Sequence, residues 1–463
     1  MTILKNNLSV IIGIILSILA FIISFYFSAN KELSTTVAIA ILMFSWWISE
    51  ALPIPITALL PICLFPIFDI MPIDEVTKYY SNKIIFLMLS GFLLGLILQK
   101  WQLNYRIALN ILKFTGQNPA GIILGFMIST AFLSMWISNT ASTLIMLPIA
   151  LSFLKIINKK DNNFAIILML AIAYSASIGG ISTIIGTPTN AILVSFLSEI
   201  YDIEFSFSKW LLTFLPLTII LLLIIWLYFV FIKLPNIKLD QNFGSNFIAN
   251  KLKELGKITY EEKAIIIIFF ALALSWIFKS HFPFKISDSA IGLIFTSLFF
   301  IIPAKKNKKT LLEWKDTKDL SWGTLILFGG GLALAKGLEK TGVINLISDG
   351  FILLDIKYYL IALILVTLTA VFLTEFMSNL ALITILAPIL MILSFNFGSS
   401  PTTLAIPATI AASCAFMLPM ATPPNAIVFA SGYLHVKDMI KCGIFANLIA
   451  VLVIVFYSYI IKF

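Results

Sequence analysis

Apolar runs of about 20 residues, each about 30 Å long as helix, recur along the whole chain with short polar gaps between them. Residues 8–28 form the first. Residues 37–70 follow and count as two spans, because Trp46-Trp47-Ile48-Ser49-Glu50-Ala51-Leu52-Pro53 places a Pro-rich break among them. Residues 84–112 read as one long helix carrying Gly91 and Gly95, and further spans are predicted at 209–232, 262–278, 287–303, 322–340 and 438–461. Four stretches depart from simple crossings. Residues 119–157 and 358–398 are apolar on both sides of a polar tip, with arms too short to cross comfortably, which predicts re-entrant hairpins. Residues 164–200 and 403–432 are apolar but interrupted by Gly, Pro and Asn, which predicts helices unwound at mid-membrane.

The polar residues of those four stretches come in two copies. Ser134-Met135-Trp136-Ile137-Ser138-Asn139-Thr140 is matched 240 positions later by Thr374-Glu375-Phe376-Met377-Ser378-Asn379-Leu380. Gly186-Thr187-Pro188-Thr189-Asn190 is matched 235 positions later by Ala421-Thr422-Pro423-Pro424-Asn425. Gly91 with Gly331, Leu98 with Leu338 and Lys100 with Lys340 extend the repeat at an offset of 240. An unpaired polar group in hydrocarbon costs several kcal/mol. Hydroxyls and amides repeated inside apolar surroundings therefore mark a binding site at a pseudo-two-fold axis between unwound segments. A lone Ser-Asn pair is explained by helix packing, and a lone Thr-Pro-x-Asn by a kink; the doubled set is not.

Composition narrows the class. The 463 residues are 60% hydrophobic and 11% charged, which excludes an ordinary soluble enzyme. The net charge of +9 comes almost wholly from lysines in gaps between spans, so positive-inside topology explains it better than nucleic acid does. Their bias predicts about 11 spans plus two hairpins, with the N-terminus cytoplasmic, the C-terminus external and the halves inverted. The first span reads as retained rather than as a cleaved signal peptide. Arg106 is the one arginine, which argues against an arginine clamp on the ligand. Cys63, Cys414 and Cys442 read as packing residues, and His281 and His435 are too few for a zinc or haem site. Glu375, an intramembrane carboxylate, reads either as an acceptor for backbone amides of the hairpin, the favoured role, or as a functional group that titrates and allows proton coupling; Glu50 reads as a cap or interface anchor, and Lys336 as paired with an acid or snorkelling. Gly329-Gly330-Gly331 lacks the Lys-Ser or Lys-Thr of a phosphate loop and reads as close helix packing. No HExxH helix, and no GxSx motif with a partner histidine, supports an intramembrane enzyme.

Carbonyls at helix C-terminal ends and hydroxyls suit a hard monovalent cation, and N–H groups at helix N-termini suit an anion, so one such pocket can hold both. At this point the residues show a likeness. Trp46 to Pro53 with Thr57-Ala58-Leu59-Leu60-Pro61, Ser138-Asn139-Thr140, Gly186 to Asn190, Thr374 to Asn379 and Ala421 to Asn425 resemble the divalent anion:sodium symporter family over nearly the full length.

The resemblance implies an all-α polytopic membrane protein of the elevator type, a homodimer in the plasma membrane. Its lipid-embedded scaffold would carry a moving part and couple inward sodium to uptake of a small divalent anion. A C4-dicarboxylate such as succinate, malate or fumarate is the first reading. Citrate or sulfate, or sodium-independent exchange or proton coupling, are the alternatives. Carried over residue by residue, one sodium site uses Ser134, Ser138, Asn139 and Gly186, and the other uses Thr374, Met377, Asn379 and Ala421, with Met377 and Ala421 acting through their carbonyls. The substrate is held by Ser138, Asn139, Thr140, Thr187, Ser378, Asn379 and Thr422. Leu380 departs from the threonine often found at the second tip and leaves the choice of dianion open. The division expected is scaffold at 1–113 and 262–340, moving parts at 119–200 and 358–432, single helices at 209–232 and 438–463, and a cytoplasmic linker at 233–261 with an amphipathic helix.

Overall fold

The computed structural model describes residues 2–115, 118–157, 162–233, 243–306, 309–343 and 358–463. Among them the chain is helical throughout, with one isolated bridge, Pro303 to Thr310, as its sole extended pairing. Helices α1 (Thr2–Ser28) and α2 (Lys31–Ser49) pack against each other. Asn30 opens α2 by accepting from the Leu33 N–H, and Glu50 closes it in a left-handed turn whose N–H reaches the Trp46 carbonyl, the capping role expected of Glu50.

The second span expected within 37–70 is not one helix. Prolines divide it into α3 (Ile54–Thr57) and α4 (Leu60–Ile67), followed by α5 (Ile73–Tyr79). Nor is 84–112 continuous: α6 (Lys83–Lys100) ends at Trp101, Gln102 takes a left-handed φ of 53°, and α7 (Leu103–Phe114) starts anew. Arg106 anchors α7 beyond this turn. Its guanidinium is buried against Glu262 at 2.7 Å and donates to the Gly256 and Leu255 carbonyls at 3.0 and 3.2 Å. The lone arginine thus fastens the first half to the connection between halves.

Helix–turn–helix pairs stand at both predicted hairpins. In the first, α8 (Pro119–Ser134) and α9 (Asn139–Ile157) meet at a tip of four residues; in the second, α17 (Tyr359–Leu373) and α18 (Asn379–Phe395) meet at a tip of five. Both broken helices form as well: α10 (Asn162–Gly180) with α11 (Pro188–Tyr201), and α19 (Thr402–Ala412) with α20 (Pro423–Phe429). Each hairpin packs on the first part of its own broken helix, and its returning arm packs on the second part of the other one: α9 against α20, and α18 against α11. This reciprocal exchange ties the two halves together at the breaks.

Around this centre lie α12 (Phe207–Leu227), α13 (Phe243–Leu255), α14 (Tyr260–Ile277), α15 (Asp288–Ile301), α16 (Trp322–Lys340) and α21 (Val436–Ile461). The α13 helix is the amphipathic element expected in the linker; residues 234–242 of that linker, and the basic residues Lys159, Lys160 and Lys308, lie outside the described residues. Six described helices are long and apolar enough to cross a membrane, with shorter apolar helices, hairpin arms among them, between. The glycine run on α16 is a packing surface: a Cβ on Gly330 would fall 2.1 Å from the Ala58 carbonyl, and one on Gly331 would fall 2.9 Å from the Thr384 methyl. Lys336, on the same helix, pairs with Glu339 at 2.7 Å. Cys414 and Cys442 are buried as packing residues, whereas Cys63 is exposed.

Candidate functional site

The tip of the first hairpin is built by a hydroxyl at the end of α8 and an amide at the start of α9. Ser134 Oγ is fully buried and stands 2.6 Å from Asn139 Oδ1 and 2.6 Å from the Ala176 carbonyl oxygen on α10. One hydroxyl hydrogen therefore faces two acceptors. The second hairpin repeats the arrangement, with Thr374 Oγ1 2.6 Å from Asn379 Oδ1 and 2.8 Å from the Ala412 carbonyl on α19. Oxygens outnumber the protons available to them at both places, and this surplus favours a cation.

The breaks are held open by an asparagine from the helix that follows. Asn190 Nδ2 donates to the carbonyls of Gly180, Ile181 and Thr183 at 3.0, 3.3 and 2.9 Å. Asn425 Nδ2 donates to Ala415 and Leu418, both at 3.0 Å. These contacts satisfy carbonyls that the missing helical turn leaves free. The opposite face of each amide is bare: Asn190 Oδ1 and Asn425 Oδ1 are buried and find no hydrogen-bond partner among the described residues. A Cβ added at Gly180 would meet Asn139 Oδ1 at 2.6 Å and the Gly186 carbonyl at 3.2 Å, so hairpin tip and break border the same small gap.

Thr187 and Thr422 cap α11 and α20 from extended backbone, both followed by proline at the first helical position. Thr187 and Thr189 hydroxyls lie 3.2 Å apart, and Thr189 lies 3.2 Å from Ser413 at the end of α19. This chain of hydroxyls joins the first break to the second. A buried Tyr174 on α10 adds a bond to the Phe416 carbonyl at 2.8 Å.

Among the residues expected from sequence, Ser134, Asn139 and Gly186 come together around the first gap, and Thr374 and Asn379 around the second. Ser138 is exposed at its tip and accepts from the Ala141 N–H at 3.2 Å; Thr140, Ser378, Met377 and Leu380 are half-buried beside it or at the matching tip. Ala421 is buried in the second break, its N–H on the Leu418 carbonyl at 3.2 Å.

The role of Glu375 differs from the expected one. Its carboxylate accepts not from the hairpin but from the facing break: Phe416 and Met417 N–H at 2.8 and 2.9 Å on Oε1, and Leu418 N–H at 2.9 Å on Oε2. Asn447 on α21 donates to the same Oε1 at 2.7 Å. Four donors and no acceptor are what an ionised carboxylate takes. At the matching position of the first hairpin, Met135 offers its carbonyl to Thr183 Oγ1 at 2.6 Å, and Thr183 accepts from the Gly186 N–H at 2.9 Å. Thr183, Ser413 and Asn447 are site residues the sequence reading did not single out. Thr183 and Ser413 lie within the predicted broken stretches, but Asn447 in an ordinary span gave no signal.

Comparison with known proteins gives the family. The model of the sodium:sulfate symporter transmembrane region matches residues 4–461. The chain belongs to that family. This symporter-family chain is also 39% identical to a protein of Staphylococcus saprophyticus named sodium-dependent dicarboxylate transporter SdcS, covering 98% of this chain and 91% of the relative. The protein of that name in Staphylococcus aureus strain USA300 is 39% identical, over 97% of this chain and 90% of its own. Among solved structures, the Alcanivorax borkumensis YdaH transporter superposes with a TM-score of 0.61 over 84% of this chain and 86% of its own at 12% identity. MtrF of Neisseria gonorrhoeae gives 0.53 over 84% and 83% at 13% identity. At such identities these two neighbours speak for the helical fold alone.

Proposed function

We propose that the chain is a secondary active transporter that couples inward sodium flux to the uptake of a small divalent anion, with a C4-dicarboxylate as substrate. The observation that carries this reading is the doubled oxygen cluster at Ser134–Asn139–Ala176 and Thr374–Asn379–Ala412, in which acceptors exceed protons. Sodium at these points would complete both sets: Ser134, Ser138, Asn139 and the Gly186 carbonyl in the first, Thr374, Asn379 and the Met377 and Ala421 carbonyls in the second. The positive charge so fixed lowers the cost of bringing a dianion into the membrane, which is the physical basis of coupling. Ser138, Asn139 and Thr140 at one tip, Ser378 and Asn379 at the other, and Thr187 and Thr422 at the helix N-termini would take the carboxylates. The names of the staphylococcal relatives support sodium and dicarboxylate as the pair.

Residues 119–200 and 358–432 would move as one unit against a scaffold of 1–113 and 262–340, opening the site to each side in turn. The reciprocal packing of the hairpins on the broken helices supports that unit. The transporter would have about 11 spans and two hairpins in an inverted repeat, a cytoplasmic N-terminus and an external C-terminus, and would be a homodimer in the plasma membrane. Uptake of labelled succinate, malate, citrate and sulfate into proteoliposomes tests the reading. Succinate or malate entry should rise at least about tenfold on an inward sodium gradient, the size of a typical coupling energy between sites. Uptake indifferent to sodium would end the symport claim.

A further inference from the structure

A cavity with charged and apolar walls lies away from the paired breaks. It encloses about 690 Å³ and is walled on one side by α6 and the segment between α14 and α15, on the other by α11 and the start of α12. Four lysines line it, Lys83, Lys209, Lys279 and Lys285, against two carboxylates, Glu204 and Asp288, leaving two positive charges in excess. The carboxylates are already committed. Lys83 pairs with Glu204, and its hydrogen bond holds the Glu204 carboxyl below the usual range. Lys279 pairs with Asp288 at 2.9 Å, and Asp288 also accepts from the Phe207 N–H at 2.9 Å, which pins the two walls together. Among the described residues no carboxylate pairs with Lys209 or Lys285; Lys209 lies over the Phe205 ring at 4.6 Å, and both ammonium groups are on exposed side chains. Six serines and eight apolar residues, Phe282 and Phe284 among them, make up the rest of the lining.

The geometry points to a capture vestibule for small dianions in this cavity, distinct from the site at the breaks. Ser198, in its wall, lies eleven residues along α11 from Thr187, about 16 Å at the helical rise. The volume is several times that of one dicarboxylate, so the cavity concentrates anions rather than gripping one. Excess charge between low-dielectric walls focuses the field and raises the local concentration of an oppositely charged ligand. Two unpaired ammonium groups match two carboxylates in charge. The proposal rests on the dianion transport reading for its purpose, but its binding chemistry is testable without transport.

Two measurements test it. The first is initial-rate succinate uptake by the wild type and by the Lys209→Gln/Lys285→Gln double variant, at low and at high ionic strength with sodium fixed. The double variant should raise KM about threefold or more at low ionic strength, leave the maximal rate within about twofold, and match the wild type at high salt, where charges are screened within about 3 Å. Lys209→Arg/Lys285→Arg should behave as wild type. An unchanged KM at low salt, or a change of equal size at both salts, overturns the vestibule. The second is labelling of the purified protein by an amine-reactive reagent, read by mass spectrometry, with succinate or propionate at equal ionic strength. Succinate should slow labelling of Lys209 and Lys285 and leave exposed Lys437 alone; equal labelling overturns the proposal. If the wild type shows no sodium-dependent uptake yet succinate protects both lysines, the transport reading fails and the vestibule stands.

Discussion

The two halves of the site are written in one pattern and fastened in two ways. In the first, a neutral hydroxyl, Thr183, links hairpin to break through the Met135 carbonyl and the Gly186 N–H. In the second, the Glu375 carboxylate gathers three successive backbone N–H groups and the Asn447 amide. Hydrogen bonds to a charged group contribute about 1.5 to 3 kcal/mol each, against about 0.5 to 1.5 for neutral ones. The second break is thus the more firmly fixed. It also leaves fewer free N–H groups for an anion, since Glu375 already occupies those of Phe416, Met417 and Leu418. The first break is less bulky and closely packed: Gly180 and Gly186 stand where the second half carries Ala415 and Ala421, and a Cβ on Gly186 would fall 2.5 Å from the Gly180 carbonyl oxygen. A cation is therefore caged in two settings, one made by glycine clearance and one by a buried negative charge nearby.

The sharpest way to break the comparison is to neutralise the charged fastening. Glu375→Gln replaces an acceptor-only group by one that also donates, so at least one of the three amides loses its partner. Leaving a buried amide unpaired costs about 1 to 3 kcal/mol. Sodium-driven uptake should fall more than about tenfold, in line with that loss, and the melting temperature in detergent should drop. Wild-type uptake and melting would make Glu375 dispensable and the two halves equivalent.

Gly180→Ala imports the second half's methyl into the first. The new Cβ would sit 2.6 Å from Asn139 Oδ1, so the amide must swing away from Ser134. The expected result is a sodium half-saturation raised about fivefold or more, the cost of one lost bond of about 1 kcal/mol, with melting little changed. Sodium dependence identical to wild type would remove Gly180 from the gap.

The smallest effect is expected at the tips, where Thr140 is matched by Leu380. Leu380→Thr restores a hydroxyl worth at most about 1.5 kcal/mol. It should alter the ranking of succinate, malate, citrate and sulfate in competition assays and leave sodium affinity within about twofold, since Leu380 adds no oxygen to the Thr374 cluster. An unchanged ranking would take position 380 out of contact with the anion.

The hairpins and breaks were legible because Gly, Pro, Asn and hydroxyls stand out against apolar surroundings, and because each motif is written twice. Single-copy features were harder to read. The turn at Trp101-Gln102 has neither glycine nor proline; the left-handed Gln102 donates its N–H to the Gln99 carbonyl and accepts from the Arg106 N–H. The Pro-rich segment after Pro53 looked apolar enough for a span, yet its prolines cut it into two short helices. Glu375 was recognisable as an amide acceptor, but its partners lie 41 to 43 residues away, across a contact that only the packing of α17 on α19 creates. Asn447 is further still, on the last helix, and nothing local distinguishes it.

The central claim is that both amides, Asn139 and Asn379, serve one cage for sodium and dianion together. Its most direct test is simultaneous uptake of labelled sodium and labelled succinate by Asn139→Ala and Asn379→Ala in proteoliposomes, with folding checked by thermal melting. The account predicts that each variant remains folded and loses both fluxes together. Either flux persisting at the wild-type rate while the other is lost, or both persisting, would contradict it.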